Sequence, residues 1–307
     1  MRWVSFHDGG RLLPGFVTDS GEVVDVVEAG RAAGIPVPAE MTALIAKWSS
    51  SSSRLRAMID AAPAAARRRA TDVMLGPPVP RPGKILCLAG NYREHIVESG
   101  FAAVAERDAI TPQMFLKPST CLVGDGAQVT LTAVNVRVGW EAELAVVIGR
   151  PARRVTRERA LEHVFGYTVL NDLSERGLNS RLEGRRVRER DPFFDWLAGK
   201  WFDGFAPCGP WIVTADEIPD PQALTIRLHV NGELRQEGVT SDMIFPVAAL
   251  IADASAIMTL EPGDIIATGT PAGAGTGTGE SFLRTGDEVV CEIDGIGRLR
   301  TTIGSER

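Results

Sequence analysis

Between Gly139 and Gly149 the sequence reads GWEAELAVVIG, an apolar run of strand character that carries two carboxylates, Glu141 and Glu143, near its start. Side chains alternate along a strand, so residues two apart share a face. Glu141 and Glu143 therefore point the same way as Ala145 and Val147, while Ala142, Leu144, Val146 and Ile148 line the other side. Two unit charges about 4 Å apart repel by roughly 4 kcal/mol at an effective dielectric of 20. Solvent, a basic partner, a shared proton or a metal ion must compensate. A solvated sheet edge is the ordinary fate of an E-x-E pair, and the pair alone does not choose. Asp172 offers a third ligand, at the point where the strand-like FGYTVLND gives way to a loop. Three carboxylates make an all-oxygen set of the kind hard cations take, Mg²⁺ first, then Mn²⁺ or Ca²⁺. The competing reading of Asp172 is a cap on the turn that follows it.

Other residues could do chemistry beside such a site. In NYREHIVESG, His95 and Glu98 are three apart and share a helical face. A carboxylate beside an imidazole orients the ring and raises its basicity, as a general base requires; the plainer reading is a surface ion pair. Lys200, in AGKWFDGF, either snorkels past apolar neighbours or places a cation in a site. The glycine-rich TGTPAGAGTGTGE lacks the G-x-x-x-x-G-K-[ST] pattern, and no G-x-G-x-x-G register fits it. It reads as a turn that approaches a ligand closely. RLEGRRVRER, residues 181–190, holds five arginines. Its interleaved acids and lack of aromatic residues favour a solvated loop, with one arginine available to a substrate carboxylate, over a nucleic-acid contact.

The elements that must position these groups belong to a chain of 307 residues with 44% hydrophobic and 23% charged residues and a net charge of −6. Such a composition builds a globular core and does not suit coating a phosphate backbone. FPVAALIADASAIM is only 14 residues long and contains Asp253, too short to span a membrane. The N-terminal stretch lacks a signal-peptide core, and the four scattered cysteines form neither a zinc cage nor a disulfide framework, which points to the cytoplasm. Residues 2–27 read as short strands joined by Asp8-Gly9-Gly10 and Ser20-Gly21 turns. Residues 26–74 read as helical, with Ser49 to Ser53 as a loop tip. GPPVPRPGK is extended, and we expect a small N-terminal α+β domain (1–75), a Pro-rich linker (76–83) and a larger domain (84–307). The larger domain is mostly strands and turns, with an Asn231-Gly232 hairpin, a short helix ending at Gly100 and another from Pro246 to about Met258. This is a β-dominated α+β pattern, not a Rossmann sheet or TIM barrel.

In order and spacing, NYREHIVESG, FLKPST, GWEAELAVVIG, LNDLSER, GKWFDGFAPCGPWIVT and LEPGDIIATGTPAG resemble segments of the fumarylacetoacetate hydrolase family. The resemblance covers roughly residues 84–303. It implies that family's β-roll fold, a homodimer, and a Mg²⁺ or Mn²⁺ site held by Glu141, Glu143 and Asp172. It also implies roles: His95 and Glu98 as water activator, Lys200 as the cation for a developing enolate, and Lys117, Arg176 and Thr270 as substrate contacts, Thr270 through its hydroxyl or amide. The implied activity is hydrolysis of a carbon–carbon bond in a small 1,3-diketo acid of acylpyruvate type. Decarboxylation or isomerisation of a small dicarboxylic keto acid is the alternative, and a non-catalytic cation-binding β-protein is the reading outside enzymes. Many members carry Ala-Arg-Asp-x-Gln after the metal aspartate. Here the run is Glu175-Arg176-Gly177-Leu178-Asn179. A small residue often follows the site lysine; here it is Trp201. If GKWFDGF is extended, Trp201 faces away from Lys200 and packs in the core.

Overall fold

The computed structural model describes residues 1–100, 110–178, 184–275 and 282–306. Two strands, Arg2–Asp8 and Arg11–Val17, pair antiparallel and end on Asp8↔Arg11. The two loop residues, Gly9 and Gly10, have φ of 53° and 81°. Positive φ at both central positions matches the right-handed twist of the flanking strands, which explains Gly-Gly there. A third strand, Glu22–Asp25, leads into a helix over Val26–Ala33, and the Asp25 carboxylate accepts from the amides of Val27 and Glu28 at 3.0 Å each.

The expected loop at Ser49 to Ser53 is corrected: a single helix runs from Met41 to Asp60 through all five serines. Met41, Leu44 and Ile45 on one side of the serines, and Leu55, Met58 and Ile59 on the other, are buried. Their spacing keeps one apolar stripe across the tract. Serine costs a helix only up to about 0.7 kcal/mol per residue against alanine, less than the stripe returns.

The main sheet has 12 strands. Arg2–Asp8 pairs with Ala206–Thr214, which pairs with Val164–Asn171, and that strand pairs with Ala142–Ile148. Ile265–Ala267 follows, then Ile85–Ala89 in parallel, then the edge strand Gln113–Lys117. The N-terminal strands thus continue the sheet of the larger unit, and the sheet crosses the 76–83 stretch read as a linker. A second, five-stranded sheet contains Thr225–Val230, Glu233–Val239, Glu288–Ile293, Gly297–Ser305 and Gln128–Leu131. Its hairpin turns at Asn231-Gly232, with φ of 51° and 81°.

The strand Ala142–Ile148 separates two cores. Leu144, Val146 and Ile148 pack with Ile226, Leu228, Val289 and Leu299 of the second sheet. Ala145 and Val147 pack with Ile85, Cys87 and Ile265 and with Leu44 and Ile45 of the long helix. This is the alternation read from the sequence, in a sheet-dominated α+β fold. A helix over Val247–Ile257 follows Pro246, as expected. Among the described residues no helix is long and apolar enough to cross a membrane.

Candidate active site

The register of two neighbouring strands brings the carboxylates together. Ala142 lies opposite Asn171, so Glu141 and Glu143 flank the position where the next strand ends in Asp172. The Asp172 amide donates to the Glu141 carbonyl, and the Asn171 side-chain oxygen accepts from the Glu141 amide, both at 2.9 Å. One ligand oxygen from each of Glu141, Glu143 and Asp172 lies within 4.8 Å of the others, and all three residues are buried.

Three cations answer two of the three acids, Glu141 and Asp172. Lys200 Nζ donates to Glu141 Oε2 at 2.8 Å and to Asp172 Oδ2 at 2.7 Å. Lys117, the last residue of the edge strand, donates to Asp172 Oδ1 at 2.5 Å and to the Leu173 carbonyl at 3.2 Å. Arg176 Nη2 donates to Glu141 Oε1. The rings of Phe115 and Trp196 stand 5.2 and 5.8 Å from Lys200 Nζ and hold it from behind. Burial by itself lowers the Lys200 pKa, but Asp172 and Glu141 outweigh it and leave the pKa raised. Burial raises that of Glu141, yet Lys200, Arg176 and His95 hold the carboxyl well below its ordinary range.

Glu143 is different. Its Oε2 accepts from the Gly269 amide at 2.7 Å, while its Oε1 is buried without any partner. Burial, then Asp172 and Glu141, push its pKa well up. An orphaned, fully buried carboxylate oxygen beside two further carboxylates is what a divalent cation would satisfy, and the all-oxygen donor set fits a hard one.

His95 lies on a short helix, Arg93–Glu98. Asn91 ties its entry to the sheet: its Nδ2 donates to the carbonyls of Phe245 and Thr268, and its Oδ1 accepts from the Phe245 amide. His95 is buried and its Nδ1 has no hydrogen-bond partner. The nearest Glu98 oxygen is 3.8 Å from that nitrogen, and the same oxygen accepts from the Gly273 amide at 2.9 Å. The two residues are adjacent but not hydrogen-bonded. Burial is the main reason that the His95 pKa is lowered. Thr270 is also buried; its hydroxyl donates to the Ala142 carbonyl and accepts from Gln236 Nε2, both at 2.8 Å. That hydroxyl is engaged in holding the fold.

The expectation for Trp201 is corrected. GKWFDGF is not a strand: the amides of Lys200 and Trp201 turn back to Leu197 and Ala198 at the end of the helix Asp191–Ala198. Opposition of adjacent residues does not apply to a turn. Trp201 is 43% exposed, and its Nε1 donates to the Leu116 carbonyl at 2.9 Å. Arg185 and Arg188 of the arginine-rich run pair with Asp191 and Asp195 and fasten that same helix. Asn179 and Arg181 lie outside the described residues, as does the glycine-rich stretch beyond Gly275.

The sequence reading passed over Tyr92 and Asn171. Tyr92 Oη, His95 Nδ1, Asn171 Nδ2, Arg176 Nε and Glu143 Oε1 are all buried without a partner among the described residues. Burial, then the charge of Glu143, raises the Tyr92 pKa. Asn171 stands directly before Asp172, yet an asparagine inside an apolar strand gives no sign from sequence of which groups it will face.

Residues 84–304 match the model for the fumarylacetoacetate (FAA) hydrolase C-terminal domain. The chain is 42% identical over 237 residues to the oxaloacetate tautomerase YisK of Bacillus subtilis (strain 168), covering 76% of this chain and 74% of that protein. Its fold is similar to the crystal structure of maleylpyruvate hydrolase from Sphingobium sp. SYK-6 in complex with manganese(II) and pyruvate, at a TM-score of 0.76, 32% identity and full coverage of both chains. It is also similar to 5-carboxymethyl-2-hydroxymuconate delta-isomerase from Mycobacterium smegmatis, at a TM-score of 0.72, 29% identity and full coverage of both. The chain belongs to the fumarylacetoacetate hydrolase family, a family of enzymes that includes hydrolases, tautomerases and isomerases.

Proposed function

We propose that this protein binds a divalent cation, Mg²⁺ or Mn²⁺, at Glu141, Glu143 and Asp172, and interconverts the keto and enol forms of a small dicarboxylic 2-keto acid of oxaloacetate type. One observation carries the reading: Lys117, Lys200 and Arg176 match the three buried carboxylates in number but pair only with Glu141 and Asp172, which leaves Glu143 Oε1 and other buried polar atoms without partners. A divalent cation adds two positive charges to that set, and a doubly charged keto acid cancels them. The oxygens of such an acid also suit the unpartnered hydrogen-bonding atoms of Tyr92, Asn171 and Arg176. Similarity to an oxaloacetate tautomerase supports the reaction type.

When bound, the cation supplies Lewis-acid polarisation of the keto oxygen. The chain's own groups do the rest. Arg176 holds a carboxylate of the substrate through its unused Nε–H. Neutral His95 would take the proton from the carbon next to the keto group and pass it on, directly or through water, to the former carbonyl oxygen, so that the enol forms and the ring is neutral again. Lys200 uses two of its three N–H bonds on Glu141 and Asp172, which leaves one for the oxygen where charge builds.

Hydrolysis of a carbon–carbon bond is the second reading, favoured by Glu98 beside His95, a pair able to activate water once the ring moves onto the carboxylate. Purified Mn²⁺-loaded protein offered enol-oxaloacetate and an acylpyruvate separates the two. Loss of the enol absorbance at unchanged total keto acid supports tautomerisation. Acylpyruvate cleavage with no effect on oxaloacetate interconversion supports hydrolysis and sinks the first reading.

A further inference from the structure

The buried Glu175 carboxylate belongs to no ion pair among the described residues, although it lies next to Arg176 in sequence. Its place follows from a two-stranded ribbon in which Val138 and Gly139 pair with Glu175 and Ser174. The side chain folds back along this ribbon. Both of its oxygens accept from the Arg137 amide at 3.2 Å, and Oε1 also accepts from the Gly177 amide at 2.5 Å. The Arg176 amide between them donates to the Arg137 carbonyl at 2.8 Å. One carboxylate thus ties Gly177, which follows Arg176, to Arg137 on the facing segment, and the guanidinium reaches Glu141.

Gly177 is shaped by the same arrangement. A Cβ built there would stand 3.0 Å from Glu175 Oε1 and 2.7 Å from a Val136 methyl. The Val136 methyl and the Glu175 carboxylate together crowd the space in which a side chain at 177 would begin.

We propose that Glu175 is the positioning residue for Arg176 and that glycine at 177 leaves its carboxylate room beside Val136. The proposal rests on the functional reading above, in which Arg176 receives a substrate carboxylate.

The test compares Mn²⁺-loaded wild type with Glu175→Ala, Glu175→Gln, Gly177→Asp and the double variant Glu175→Ala/Gly177→Asp. Calorimetry reads the binding of oxalate, and steady-state kinetics read KM against kcat for oxaloacetate. Glu175→Ala weakens oxalate and raises KM by about tenfold, the scale of one misplaced charge-assisted hydrogen bond, with kcat changed less. Glu175→Gln turns an amide N–H₂ toward two backbone donors and loses part of the same affinity. Gly177→Asp alone forces two carboxylates into one space and does at least as much damage. The double variant returns a single carboxylate and recovers oxalate binding to within about threefold of wild type. In an Arg176→Ala background, Glu175→Gln adds no further loss.

Unchanged KM and oxalate affinity in both Glu175 variants overturns the proposal, even if their melting temperatures fall. So does a double variant no better than its worse parent, or further loss in the Arg176→Ala background. Should Glu175→Ala not fold, the glutamine and double variants decide. A wild-type protein that binds neither oxalate nor oxaloacetate defeats the functional reading, and this proposal with it, before any variant is compared.

Discussion

Glu143 and His95 both have polar atoms whose burial is unrelieved, and they respond to it in opposite senses. Glu143 keeps an oxygen without partner, and burial makes its charged form unfavourable. In Glu143→Gln the amide oxygen can still accept from Gly269 while the uncompensated charge is gone. The metal-free variant is expected to melt at or above the wild-type temperature, because the amide avoids the cost of either ionising or protonating a carboxyl that burial holds well above its ordinary pKa. Mn²⁺ affinity should fall by about tenfold or more with the loss of one anionic ligand. Calorimetric titration with Mn²⁺ checks this, and unchanged affinity removes Glu143 from the site. For His95, burial holds the pKa below its ordinary value near 6.5, so the ring is neutral at pH 7 and able to accept a proton. The folded state binds fewer protons there than the unfolded chain between the two pKa values. Stability from this group is present above 6.5 and is lost as pH falls toward the folded value. Activity should therefore decline only on the acid side, below pH 6.5. His95→Asn should cut turnover by about 10²- to 10⁴-fold and leave Mn²⁺ affinity nearly unchanged. A pH–rate profile of wild type whose acid limb lies above pH 7 contradicts the assignment.

At the scale of elements, the turn Gly199–Gly204 holds Lys200 against the carboxylates, and Trp201 pins that turn to the edge strand through Leu116. Trp201→Ser removes one hydrogen bond at a half-exposed position, so the expected loss is about 1 kcal/mol and not the larger cost of emptying a core site. The substrate should feel the change more, because the edge strand carries Lys117 and the turn carries Lys200. Melting temperature and KM measured on the same Trp201→Ser sample check this; a large stability loss with unchanged KM would reverse the assignment. The strand Ala142–Ile148 was legible in sequence because alternation depends on backbone geometry alone, and Glu141 and Glu143 follow from it. The grouping of Asp172 with them needed only its place at a strand end. Trp201 was misread because its orientation depends on whether seven residues form a strand or a turn, and GKWFDGF suits both. The serine helix was misread because propensity is weak beside the burial of Leu44, Ile45, Leu55 and Ile59, which no local window reveals. The clasp of Glu175 on the Arg137 and Gly177 amides joins segments that are distant in the sequence, and nothing in the residue types announces it.

For the molecule as a whole, the site's charge rests on Lys117, Lys200 and Arg176, which share Glu141 and Asp172 between them. Among the described residues, Lys200 alone bridges Glu141 and Asp172. Replacing it by Met keeps much of the packing against Phe115 and Trp196 but leaves two buried carboxylates facing each other. Breaking a buried pair by removing one partner costs about 3–5 kcal/mol, because the remaining charge stays desolvated. The metal-free Lys200→Met protein should therefore melt well below metal-free wild type. Mn²⁺ then has more to relieve. Stabilisation by a ligand is RT ln(1 + [L]/Kd), about 2.7 kcal/mol at a hundred times Kd, so at one fixed Mn²⁺ concentration the variant gains more if the cation, replacing the missing ammonium, binds it more tightly. The Mn²⁺-induced rise in melting temperature is expected to be larger in Lys200→Met than in wild type, even though its catalysis is lost. Thermal melts of both proteins with chelator and with Mn²⁺ measure the four quantities needed. An equal rise in the two proteins would mean that Lys200 and the cation do not compensate the same carboxylates.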